Sequence, residues 1–318
     1  MQNIIEIFRE KKLFLAKIFA EQAKIYTKTA ISYLITVFCM TILIRPPAAA
    51  GTFYNLNQEY LKKQIESSFN HKLGPNGMKT KNVKAAVVPH AGYEYSGPVA
   101  AWAYSRMEKA NYLIVGSNHT GIGSQFAIMK AGMWKTPLGD LVIASDVAEK
   151  LINTRIVEYD VLAHEHEHSV EVQLPFLQYR FGSNFKFVPI AIMNDFADDL
   201  LLDSCRLVGK AIASIIKKQK EKWVVLASTD FSHYVPQEMA EKNDRGVIKT
   251  ILKLDEKDFF DKVAEKKVSM CGFGAVATVM VAAKGLGARK AELLKYATSG
   301  DVTQDLTSVV GYASIIFY

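Results

Sequence analysis

The stretch KAAVVPHAGYEYSGPVAAWAYSRME, Lys84 to Glu108, carries both periods of an α/β protein. Residues 84–90 form an apolar run that Pro89 ends, the pattern of a buried strand. Residues 96–108 follow with helical periodicity and Pro98 near their start, where a missing N–H costs little. The alternation continues outward. NYLIVGSNH (111–119), FKFVPIAIM (185–193) and KWVVLASTDFSH (222–233) read as strands, the first and last ending in polar turns. LLDSCRLVGKAIASIIKK (201–218) reads as a helix, and CGFGAVATVMVAAKGLG (271–287) as one that Gly285 ends. VEVQLPFLQYRF (170–181) reads as a helix that Pro175 kinks or interrupts, and AELLKYATSGD and SVVGYASIIFY supply two closing strands. This order predicts one layered α/β domain, with a mixed sheet and helices on both of its faces.

Such sheets bind ligands beyond the carboxyl ends of their strands. Three apolar runs end there in potential ligands: His90, His119, and the pair Asp230 and His233. A lone histidine such as His90 is more often structural, but His119 repeats its setting, which favours a shared site. Asp230 and His233 are three apart, so a turn can face them the same way, and a carboxylate beside an imidazole can orient it for proton transfer. The competing reading is that Ser228, Thr229 or Asp230 caps a following helix. Cys271 precedes a glycine-rich helix start, where the dipole favours a thiolate; otherwise it is a small packing residue. A thiolate with two imidazoles suits iron, copper or zinc. The segment AHEHEHSVEVQLPF (163–176) contains His164-Glu165-x-x-His168, the letter pattern of a zinc protease helix. Its two intervening residues, His166 and Glu167, would put charge on the packed side of such a helix, so a polar loop leading into a helix is the better reading.

Composition sets the remaining bounds. Apolar residues are 49% and charged residues 22% of the 318, as in an ordinary globular chain. The net charge of +7 forms no basic stripe, which argues against nucleic acid as a partner. Cys39, Cys205 and Cys271 are far apart, so a reducing, cytoplasmic location fits better than a disulfide framework. Residues 1–39 carry six Lys or Arg and three Glu, and TAISYLITVFCMTILI (29–44) is an uncharged run of 16, short for a membrane span. It admits three readings: a signal or membrane anchor reaching residue 44, an added amphipathic helix, or an overextended gene start with the domain opening at Met40. The domain boundary is accordingly set at 40–318.

The motifs RPPAAAGTFY, VVPHAGYEYSGPVAAWAY, NHTG, EHSVEVQLPFLQ, STDFSHY, MCGFGA and YATSGDVTQDLTSVVGYAS occur in the order seen in Memo proteins, and from Arg45 onward the chain resembles the prokaryotic and archaeal members of that family. The resemblance implies a fold similar to the class III non-haem iron extradiol dioxygenases, with a pocket of two histidines and a cysteine in place of two histidines and a glutamate. Carried over by motif, the metal ligands are His90, His119 and Cys271, with Asp230 and His233 as a catalytic pair. Tyr95 matches a pocket tyrosine, Phe53 replaces the tryptophan of some eukaryotic members, and His168 falls near the site; His164 and His166 match no role. Iron or copper is the implied metal, ahead of zinc. A thiolate in place of the carboxylate changes softness and redox poise, which argues against ordinary ring cleavage. Two functions are implied: a metal protein with a redox or oxygen-activating role, or a vestigial dioxygenase-like module that binds a small molecule, a peptide or a partner protein. The implied partners are AMMECR-type and radical SAM proteins, near which some relatives occur.

Overall fold

Every residue of the strand Ala85–Val88 is buried, as is nearly every residue of Asn111–Ser117, Lys186–Ile192 and Trp223–Ser228. Unbroken burial, rather than alternation, marks strands covered on both faces. The computed structural model describes residues 43–318, together with Lys17 and Glu21. The readings of 1–39 and of the run 29–44 otherwise lie outside the described residues. Residues 44–318 form one unit.

The four strands lie side by side and parallel, in the order Lys186–Ile192, Asn111–Ser117, Trp223–Ser228, Ala85–Val88. Val309–Phe317 adds antiparallel to Ala85–Val88, and Ala291–Thr298 pairs antiparallel with it. Gly139–Ile143, Met133–Thr136 and Ile44–Arg45 extend the other side of what is a 12-stranded mixed sheet. The expected layered α/β architecture is therefore the observed one. Parallel direction fixes the functional edge. His90, His119 and Asp230 each stand two residues past the end of their strand, so all three emerge on the same side of the sheet.

The helices agree with the sequence reading except at their starts. Pro175 is the third residue of Gln173–Phe181. A first-turn N–H has no intrahelical partner, so this proline neither kinks nor interrupts the helix. The helix after His90 runs Tyr93–Arg106, three residues earlier than the periodicity indicates, and Pro98 lies inside it. Its early start is held by Tyr93, which is buried and whose hydroxyl donates to the Val172 carbonyl at 2.6 Å. Among the described residues no helix is long and apolar enough to cross a membrane.

Phe273–Gly285 packs on three of the parallel strands and against Asp199–Ile216. The two helices meet at Gly209, where an added Cβ would lie 2.5 Å from the Thr278 carbonyl oxygen and 2.8 Å from the Val281 Cβ. Backbone on one side and a branched carbon on the other leave no flexible atom to give way. Gly209→Val is therefore expected to cost about 3 kcal/mol, the upper end of overpacking penalties, read as a lowered denaturant midpoint at unchanged slope.

Candidate metal centre

Cys271 lies just before the helix Phe273–Gly285 and beside the turn that follows Trp223–Ser228. Gly272 permits this approach: a Cβ there would stand 2.6 Å from Thr229 Cβ and 3.0 Å from the Ser228 carbonyl. The glycines of this motif thus serve close packing. Gly272 N–H donates to Thr229 Oγ1 at 3.0 Å, and the Asp230 N–H points at the Cys271 sulfur at 3.3 Å. No helix follows directly from Ser228–Asp230, so these residues tie loops together instead of capping.

His90 meets the sulfur with Nε2, 3.1 Å from Sγ. A closed network fixes which nitrogen faces which way. Ser228 Oγ donates its one proton to the Ser169 carbonyl at 2.6 Å and accepts from Gln173 Nε2 at 2.7 Å. Its remaining contact, His90 Nδ1 at 3.1 Å, must then be another donor, so His90 carries a proton on Nδ1. The Gln173 amide is oriented in turn by the Tyr104 hydroxyl on its oxygen and by the Pro89 carbonyl, 3.0 Å from its nitrogen. Asp230 is buried and accepts the His90 backbone N–H at 2.9 Å.

His119 is held by Glu167, a buried residue to which the sequence reading gave no site role. One Glu167 oxygen accepts the His119 backbone N–H at 2.5 Å, and the other faces His119 Nδ1 at 3.0 Å and accepts the Ser169 N–H at 2.7 Å. With Nδ1 occupied, Nε2 is the nitrogen left to ligate. His233 repeats this arrangement: its Nδ1 donates to the Ser269 carbonyl at 2.6 Å. Asp230, expected to orient His233, instead positions His90. A carboxylate or carbonyl behind each imidazole is the usual way of aiming ligand nitrogens.

His168 sits in the same cluster. Its ring stacks on His119, with centroids 4.5 Å apart, and on Phe53, 4.1 Å apart, and lies edge-on to His90 at 5.3 Å. One nitrogen from each of His90, His119 and His168 lies within 4.8 Å of the others. Phe53 is also the wall between this cluster and a groove of about 330 Å³ that Tyr95, Glu94 and Leu56 line, so Tyr95 belongs to the groove rather than to the histidines.

The two halves of the HExxH pattern separate. His164 lies in the short helix Leu162–Glu165, buried beside Trp134, whereas His168 lies beyond that helix in the cluster. His166 is the residue that ends the helix.

The electrostatics follow from this packing. Burial alone would raise the Cys271 thiol, but His90, His119 and His233 outweigh it and hold it well below the ordinary thiol range. Burial likewise opposes charge on His119 and His233, yet the thiolate, with Glu167 or Asp230, carries them up to about 10 and about 9. Glu167 moves the other way: the His119 pair overcomes burial and takes its carboxyl down to about 2. His168 is lowered to about 3 by burial and by the charge on His90. The cluster thus favours the thiolate, the ligating form of the sulfur, with His90 Nε2 3.1 Å from it. Such a donor set fits a borderline or soft transition metal.

A family profile described as Memo-like protein matches residues 45–316. A MEMO1 family protein of Methanopyrus kandleri is 46% identical over 284 residues, covering 86% of this chain and 98% of that protein. Another from Methanococcoides burtonii is 47% identical over 275 residues, with 86% and 99% covered, and one from Sulfolobus acidocaldarius is 44% identical over 288 residues, with 86% and 99% covered. Among solved structures, that of an uncharacterized Escherichia coli K12 protein aligns with a TM-score of 0.47 at 12% identity, over 74% of this chain and 99% of that one. The profile match and these identities across nearly the full length of the relatives show that the chain belongs to the Memo family.

Proposed function

We propose that this protein holds iron or copper through His90, His119 and Cys271 and has a redox or oxidant-activating role. The observation that carries this reading is the arrangement of the nitrogens: the Nδ1 atoms of His90 and His119 are engaged by Ser228 and Glu167, which leaves Nε2 of each to ligate, and His90 Nε2 lies 3.1 Å from the Cys271 sulfur. A bound iron or copper ion would supply one-electron redox chemistry there, which no side chain of the cluster offers by itself. The chain's own residues supply the rest. Cys271 enters as a thiolate, so little proton release is needed from sulfur, while His119 must give up a proton to ligate. His233, whose Nδ1 is tied to the Ser269 carbonyl, can take or return a proton at Nε2. Because the thiolate must stay reduced, the reading carries a cytoplasmic location with it.

Metal analysis of the purified full-length protein tests this. Stoichiometric iron or copper is expected, lost in His119→Ala and in His90→Ala and kept in His164→Ala. Metal kept in the first two and lost in the third would overturn it. Glu167→Gln keeps an acceptor for the His119 amide but removes the charge behind the ring. It is expected to weaken metal binding about 10–100-fold in a competition titration, with the fold intact.

The groove favours a second reading, a binding module without turnover. Phe53, Leu56 and Tyr95 line it beside Asn55, Gln64 and Glu94, so it offers both apolar and polar contacts, and Leu56 is exposed. A peptide, a small molecule, or an AMMECR-type or radical SAM partner would be recognised there. Leu56→Ala with Tyr95→Ala should then abolish partner binding at unchanged metal content.

A further inference from the structure

The cluster contains more donors than a two-histidine, one-cysteine centre uses. His168 is the surplus one. It shares the cluster with His90 and His119, within 4.8 Å nitrogen to nitrogen. Its attachments differ from theirs. His90 is tied through Nδ1 to Ser228, and His119 through Nδ1 to Glu167. Among the described residues the only polar contact of the His168 ring is Nδ1 to Glu167 Oε1 at 3.5 Å, too long for a hydrogen bond and on an oxygen that already faces two other groups. The ring is held instead by its faces, between Phe53 and His119. Stacking fixes the plane of a ring but leaves it free to slide and turn within that plane, so an in-plane lone pair can be re-aimed at small cost.

Resting on the metal reading above, we propose that His168 is an alternative ligand, completing with His90 and His119 a three-imidazole set that holds a divalent metal without the Cys271 thiolate. The centre then has two overlapping donor sets that share His90 and His119. The set with sulfur suits a soft, reduced ion, and the all-nitrogen set suits a borderline divalent one. The ion would therefore stay in the protein when the thiolate is unavailable, with the imidazole taking its place.

Cobalt(II) is the probe, because a thiolate ligand gives it a near-ultraviolet charge-transfer band and a change of donor set alters its visible bands. Four full-length proteins are titrated: wild type, Cys271→Ser, His168→Phe, and the double variant. His168→Phe keeps a ring in the stack between Phe53 and His119, and circular dichroism checks that each variant is folded. The expected result is a charge-transfer band in wild type and in His168→Phe, and no such band in Cys271→Ser. Cys271→Ser should nonetheless bind within about tenfold of wild type, and the double variant should lose more than the ~10–100-fold that an outer hydrogen-bond partner costs. Loss of binding in Cys271→Ser alone would overturn the inference while leaving the metal reading intact. So would a double variant that binds as Cys271→Ser does. A wild-type protein that takes up no cobalt, iron or copper would overturn both.

Discussion

Arg45→Met is expected to destabilise the fold by about 3–5 kcal/mol, the cost of leaving one partner of a buried ion pair alone. Arg45 is 4% exposed and Glu171 0% exposed, so neither recovers its solvation from water. The guanidinium lies over Trp134 at 4.0 Å and uses most of its donors: Nε on the His164 carbonyl at 2.6 Å, one terminal nitrogen on Glu171 at 2.5 Å, and the other on the Glu167 carbonyl at 2.7 Å. Each Glu171 oxygen is doubly occupied, one by the Ala49 N–H at 2.8 Å and the Tyr54 hydroxyl at 2.5 Å, the other by Arg45 and the Ala48 N–H at 2.8 Å. Methionine fills the space over Trp134 but leaves a charged carboxylate in the interior. The measurement is a denaturant titration, and a loss below about 1 kcal/mol would contradict the account. Glu171→Gln removes the orphaned charge, so in the double variant the two effects should fall short of additivity by more than about 1 kcal/mol. The pair also reaches the proposed metal centre. Arg45 grips the carbonyl of Glu167, whose carboxylate aims His119, so Arg45→Met should weaken metal binding at temperatures where the protein is still folded.

That pair explains what the opening RPPAAAGTFY motif does, and it shows where the sequence stops being legible. His90, His119 and Asp230 could be placed together because apolar runs announce parallel strands and parallel strands share an edge. Cys271 could be added because a glycine-flanked cysteine precedes a clear helix. Arg45 and Glu171 are 126 residues apart, and no periodicity links them. Glu167 was weighed as a charge that would spoil a helix, whereas it is buried between His119 and His168 and belongs to no regular element. Its signal was the alternation of acid and histidine in EHEHS, which suits paired charges in a loop better than either face of a helix. The short strands Phe126–Ile128, Glu158–Tyr159 and Ile44–Arg45 are illegible for a simpler reason: two or three residues cannot display a period of two. Among the paired acids and bases only the short-range contacts have a local signature, and the centre is assembled mainly from long-range ones.

His164 gives the second large effect, as a dependence of stability on pH. It is 0% exposed, and neither ring nitrogen has a hydrogen-bond partner of good geometry among the described residues. Burial, with the Arg45 charge beside it, lowers its pKa to about 4; the nearby Ala127 backbone works weakly the other way. A histidine whose folded pKa lies below the unfolded value near 6.5 is neutral in the native state, and below pH 6.5 the unfolded chain gains a proton that the folded one refuses. Its contribution is therefore complete above pH 6.5 and is lost as the pH falls toward 4, by about 3 kcal/mol in all. His119 and His233 titrate in the opposite sense, so the total curve mixes several groups and the informative quantity is a difference. His164→Phe keeps a ring beside Trp134 and removes the two unpaired nitrogens. At pH 8 it should be as stable as the wild type or more so, by up to about 2 kcal/mol, since an unpaired buried polar group costs that order. Between pH 6.5 and 4 the wild type should lose stability faster, and the gap should widen by about 3 kcal/mol. Denaturant midpoints taken at half-unit steps decide it. Parallel curves would mean that the ring finds a water or a backbone partner able to carry its proton, and the buried-neutral assignment would fail.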